Sequence, residues 1–152
     1  MRLQYNLLYI FLFIICSCSR PGSGLFSKKQ TAHEKYADSI IKEGQNKTAA
    51  GNAWLNAARL SLAQPVQLQL PYTELAYFDS KKPEAAGFEF EVKRGTRIYT
   101  APGLFVDLFE SAAGTPELLV SAAKTDSVLQ YIVKNDSRYI LRVQPQIGRA
   151  HV

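Results

Sequence analysis

Apolar positions follow two rhythms along this chain. Between Thr31 and Pro65 they recur every three or four residues; from Val66 to Val143 they recur every second residue. The first rhythm predicts helices and the second predicts strands. Thr31-Ala-His-Glu34 reads as a capping box, in which the Thr31 hydroxyl accepts from a first-turn amide and Glu34 reaches back. Behind it His33, Tyr36, Ala37, Ile40 and Ile41 keep helical spacing, and Gly44 supplies a stop. A second helix opens at Thr48, carries Trp54, Leu55, Ala58 and Leu62 on one face, and ends before Pro65. Helices this short are marginal alone, so 31–64 is predicted to form a helical hairpin lying on another element.

The alternating region holds many short strands. Val66, Leu68 and Leu70 alternate with Gln67 and Gln69, and Pro71 marks an edge or a break. Phe88, Phe90 and Val92 alternate with Glu89 and Glu91, and Lys93-Arg-Gly-Thr96 is a turn with Gly95 free to take a positive φ. Further strand-like runs cover 97–100, 104–109, 118–122, 128–133 and 139–143, separated by Gly, Pro, Asn and Asp clusters. Short alternating strands at near-regular spacing predict a mainly β fold, an antiparallel β-sandwich over 65–146 with one wet face per sheet, carrying the helical hairpin at its N-terminal side.

Ahead of the helices lies a third kind of segment. One positive residue, Arg2, precedes an apolar run from Leu7 to Ile15, which is shorter than the ~20 residues a membrane-crossing helix needs and has the length of a signal-peptide core. Ile15-Cys16-Ser17-Cys18 resembles a bacterial lipobox. The resemblance implies a signal peptide over 1–17, cleavage after Ser17, and lipidation of the Cys18 thiol, hence a membrane partner through a lipid anchor. Residues 18–30 are rich in Pro, Gly, Ser and Lys and read as a flexible stalk. No acidic run follows Cys18, so a periplasm-facing position in the bacterial cell envelope is the expectation.

Composition narrows the chemistry. The chain has 152 residues and a formal net charge of +5, but two of the arginines, Arg2 and Arg149, lie outside the body. The remaining Lys and Arg residues are scattered rather than striped, which gives no footprint for nucleic acid. Cys16 and Cys18 are the only cysteines, so the body has neither a disulfide frame nor a thiolate metal site. A metal site takes three or four ligands. His33 has only His151 for company and reads as a half-exposed first-turn histidine. Asp107, within Leu104-Phe-Val-Asp-Leu-Phe-Glu110, reads as a structural carboxylate accepting loop amides. Glu89 and Glu91 read as an outward, solvated pair. No catalytic, cofactor-binding or metal residue is therefore assigned, and Cys18 is the single site residue.

The order of parts resembles a known one. "HEKYADSIIKEG", "KTAAGNAWLNAARLSL", "GFEFEVKRGTRIYT", "LFVDLFE" and "YILRVQP" together are similar to the N-terminal region of Bacteroidetes lysostaphin-type peptidoglycan endopeptidases, zinc enzymes of the cell envelope. The resemblance spans Ala32 to Gln144. It implies that the chain is a membrane-tethered accessory region, with peptidoglycan or envelope proteins as partners. The family's zinc motifs, His-x-x-x-Asp and His-x-His, do not occur here; zinc and catalysis would belong to a later domain of the parent protein, and no catalytic residue carries over. A further strand follows the QP element in that family. Residues 147–152 can be back-translated as ATC GGA AGA GCA CAC GTC, the start of a widely used sequencing adapter. On that basis 147–152 is expected to be an adapter-derived tail, the native sequence after Gln146 to continue, and the sandwich to lack its last strand. The alternative is a self-contained envelope lipoprotein that binds glycan or a protein partner.

Overall fold

A computed structural model describes residues 29–72, 78–79, 82–112 and 114–147. The expected signal peptide over 1–17, Cys18, most of the expected stalk over 18–30, and 148–152 lie outside them. Helix α1 spans Ala32–Lys42 and α2 spans Ala49–Ala63, joined by a 3-10 turn at Gln45–Lys47. The capping box is present: Thr31 Oγ1 accepts from the Glu34 amide at 3.0 Å, and the Thr31 amide donates to Glu34 Oε2 at 2.7 Å. Gly44 takes φ +72°, the left-handed conformation that ends α1. Thr48 caps α2 by accepting from the Gly51 amide at 3.1 Å.

The strands are β1 (Val66–Gln67), β2 (Ala86–Val92), β3 (Arg97–Tyr99), β4 (Phe105–Glu110), β5 (Glu117–Ser121), β6 (Gln130–Ile132) and β7 (Ser137–Gln144). Five of them form one sheet in the order β1-β2-β7-β4-β5, and β3 pairs with β6 in a separate ribbon. The large sheet is mixed. β1 runs parallel to β2, pairing Val66 with Phe88, whereas every other pair is antiparallel. β1 is only two residues long, and one further bond, from the Leu68 amide to the Glu89 carbonyl at 2.8 Å, ties its end to β2. The expected all-antiparallel sandwich is thus corrected in one detail of direction, and in a second respect as well.

That second respect is layering. The registers place Phe88, Phe90 and Val92, Tyr139, Leu141 and Val143, and Val106 and Leu108 on one face of the large sheet. The ribbon covers this face: Ile98, Leu129, Tyr131 and Val133 join those residues in one apolar core. The opposite face carries Gly87 and Glu89, Ile140, Arg142 and Gln144, and Phe105, Asp107 and Phe109. The helices cover that one, with α2 against β2 and β7 and α1 against β4. A second core forms there from Ile40, Trp54 and Phe105, with Tyr36, Ala37, Leu55 and Ile147 packed around them. The sheet has no wet face at its centre. Residues 105–109 are all buried for this reason, since successive side chains of a strand point to opposite faces and both faces are covered.

Gly87 shows how closely the helical layer approaches. A Cβ at that position would sit 1.7 Å from the Ser61 carbonyl oxygen of α2. Only glycine lets helix backbone and strand backbone meet there.

Candidate functional site

The helix face of the sheet holds the buried polar chemistry of the described chain, in two connected groups. In the first, His33 from the first turn of α1 stacks on the Trp54 indole of α2, with ring centres 4.8 Å apart and planes 23° from parallel. The Phe105 ring meets the imidazole edge-on at 5.7 Å. His33 Nε2 lies 2.7 Å from Gln144 Oε1, and Gln144 Nε2 donates to the Trp54 carbonyl at 2.9 Å. Because the amide nitrogen of Gln144 is engaged with a carbonyl, its oxygen faces His33, and the imidazole donates from Nε2 as a neutral ring. Burial, with the Arg142 charge adding to it, holds the His33 pKa below its ordinary value. His33 is only 5% exposed, which corrects the half-exposed reading. The face that buries His33 is the one shared by Tyr36 and Ile40.

The second group centres on Asp107, 1% exposed. Arg142 of the neighbouring strand donates to Asp107 Oδ2 from both Nε and a terminal nitrogen, the former at 3.2 Å. The Ser121 hydroxyl donates to Oδ1. The guanidinium also lies over the Phe109 ring, 5.2 Å from its centre. Asp107 is a structural carboxylate, as the sequence suggested, but its partners are a guanidinium and a hydroxyl rather than loop amides. Both its oxygens are occupied, and among the described residues no histidine is hydrogen-bonded to Ser121, so the described group does not pair a nucleophile with a base. Glu89 is corrected similarly: it is 6% exposed, not solvated, and accepts from the Gln67 side chain. Glu91 is exposed as expected.

The chain leaving β7 is bound by the helices. Trp54 Nε1 donates to the Pro145 carbonyl at 2.8 Å, and the Ile147 amide donates to the Tyr36 hydroxyl at 3.2 Å. Ile147 also packs against the helix-side core. Arg142 and Gln144 are the residues that sequence reading passed over. A signal for them was present, because both share strand parity with Ile140, on the same side as Asp107 of β4.

The described residues also leave open hollows at the surface. A groove of about 890 Å³ runs between α1 and β5, floored in part by Tyr36, Phe105 and Gln146. A second hollow of about 750 Å³ lies at the β2–β3 end of the sheet, where Glu91, Asp136, Lys93 and Arg138 mix both signs of charge. Among the described residues no three His, Cys, Asp or Glu side chains stand together as metal ligands. No described helix is long and apolar enough to cross a membrane. Cys18 lies outside the described residues. Comparison with protein-family models, with curated proteins and with solved structures found no match.

Proposed function

We propose that this chain is the membrane-tethered N-terminal accessory region of a cell-wall zinc endopeptidase, with Cys18 as the lipid anchor and the catalytic domain further along the parent protein. One observation carries the reading. Of the series "RGTR", "LFVDLFE" and "YILRVQP" that makes the resemblance specific, the last two fall on β4 and β7, which pair side by side with Leu108 opposite Leu141 and Asp107 opposite Arg142. These stretches serve as scaffold: Asp107 and Arg142 join neighbouring strands, and Gln144 ties the sheet to the helical layer. His33 is committed to Gln144 and Asp107 to Arg142, so the residues present do not fit zinc and no catalytic step is assigned to them. In the parent protein a metal-bound water would be supplied by the later domain.

The locus resequenced past the Gln146 codon tests this directly. An open frame carrying His-x-x-x-Asp and His-x-His supports the proposal; a native stop within the next strand's length overturns it. The anchor is tested separately with a clickable fatty acid. Cys18→Ser should abolish labelling and Cys16→Ser should leave it unchanged, whereas labelling retained in the Cys18 variant would rule out the lipobox. The groove beside α1 favours a second reading, a self-contained envelope module binding a glycan or a protein partner.

A further inference from the structure

The groove between α1 and β5 has an unusual wall. All eight residues from 118 to 125 line it. Residues 118–121 belong to β5; side chains of a strand alternate between faces, so a groove bordered by consecutive residues is bordered there by the strand's main-chain edge, and 122–125 continue the wall beyond the strand. β5 pairs with β4 alone among the described strands. Ala122 donates inward to the Val106 carbonyl at 2.9 Å, and ladder alternation then turns the amide of Ser121 outward, into the groove, while the register shift between Val120 and Leu118 leaves Leu119 without a partner residue on β4. The opposite wall is the first two turns of α1. An open strand edge facing a helix is the setting in which extended peptides add as an extra strand.

Charge selects the occupant. Lys29, Lys35 and Lys124 line the groove, all exposed, and no Asp or Glu lines it. Two carboxylates of α1 are held beside the groove by its own residues: Asp38 accepts from the Gln30 side chain at 2.8 Å and Glu34 accepts from the Thr31 amide. The stalk that leads into α1 carries Arg20, Lys28 and Lys29 and no acid, so its charge matches the groove's own sign. We propose that the groove binds an acidic, extended peptide segment of a partner protein, which pairs with the outer edge of β5 while its carboxylates meet Lys29, Lys35 and Lys124. The volume, within the ≈300–1,000 Å³ of small-ligand sites, suits a short segment rather than a folded surface.

The test uses the purified full-length chain and a fluorescein-labelled heptapeptide alternating glutamate and valine. Saturable binding is expected, weakened roughly tenfold by the surface double variant Lys35→Glu/Lys124→Glu, which touches no buried contact. The same peptide N-methylated at alternate residues keeps its charge and loses its strand hydrogen bonds, and should not bind. Equal binding of the N-methylated peptide, or equal binding of a lysine-valine peptide, would overturn the proposal. So would loss of peptide binding in a chain extended by its native sequence, since the groove would then belong to the protein's own next strand. Self-association that the peptide does not compete would assign the edge to a second copy instead.

Discussion

Arg142 and Asp107 share a buried contact that decides how the helix face of the sheet tolerates change. Removing one partner leaves an unpaired buried charge, whereas replacing both with apolar groups removes the desolvation cost along with the attraction. Arg142→Leu is therefore expected to lower unfolding stability by about 3–5 kcal/mol, and Asp107→Leu/Arg142→Met to restore most of it. Urea denaturation of the three proteins checks this; an additive loss in the double variant would show that the pair does not act as a unit. His33 gives a pH prediction. Its pKa is lowered in the folded state, by burial first and by Arg142 second, so the unfolded chain binds the proton more readily. Stability is then full above the ordinary value near 6.5 and falls as pH drops through it toward the depressed folded value. His33 is the only described histidine, so the window between pH 5.5 and 7.5 reports mainly on it. Urea midpoints should fall across that window in the native chain and stay nearly level in His33→Phe, which keeps the stacking on Trp54 but carries no titrating group.

Element positions were the most legible feature of the sequence. The capping box at Thr31, the N-cap at Thr48, the stop at Gly44 and seven strand runs lie where polar spacing and turn chemistry put them, because these signals act within a few residues. What covers each strand was not legible. Phe88 to Val92 alternates cleanly, and that pattern suggested a wet outer face. Glu89 is instead buried beside Gln67, under the edge of α2. Alternation separates the two faces of a strand, but it does not say whether the polar face meets water or a second layer that satisfies it. The parallel direction of β1 was likewise invisible, since a two-residue strand carries no period. Gly87 tests the helical layer. Gly87→Ala would drive a methyl group into the Ser61 carbonyl, and overpacking of this kind typically costs about 1–3 kcal/mol, more where backbone must move. Gly95→Ala introduces no clash within 4 Å but must hold φ +86°, a local strain of about 1–2 kcal/mol in the β2–β3 turn. Hydrogen exchange should separate the two: the first change should loosen α2 and β2 together, and the second the turn alone.

At the scale of the whole molecule, two cores lie on opposite faces of one sheet, and β7 belongs to both. Its odd-numbered residues Tyr139, Leu141 and Val143 enter the core under the ribbon, while Ile140, Arg142 and Gln144 face the helices. β4 is divided the same way, with Val106 and Leu108 on one side and Phe105 and Asp107 on the other. Neither core can therefore come apart without disturbing strands that the other needs. Trp54 anchors the helix side: it is fully buried, stacks with His33, meets the Tyr36 ring edge-on, and donates to the Pro145 carbonyl beyond β7. Leu129 anchors the ribbon side and is 2% exposed. Trp54→Ala should cost about 3–5 kcal/mol and Leu129→Ala about 2–5 kcal/mol. Because the central strands are shared, both variants should lower the same single unfolding transition, with tryptophan fluorescence and far-ultraviolet dichroism coinciding in the Leu129 variant. If the Leu129 variant instead lost its dichroism in two steps while fluorescence followed only the later one, the ribbon and the helical layer would be separate cooperative units. In that event β7 would join the layers without coupling them.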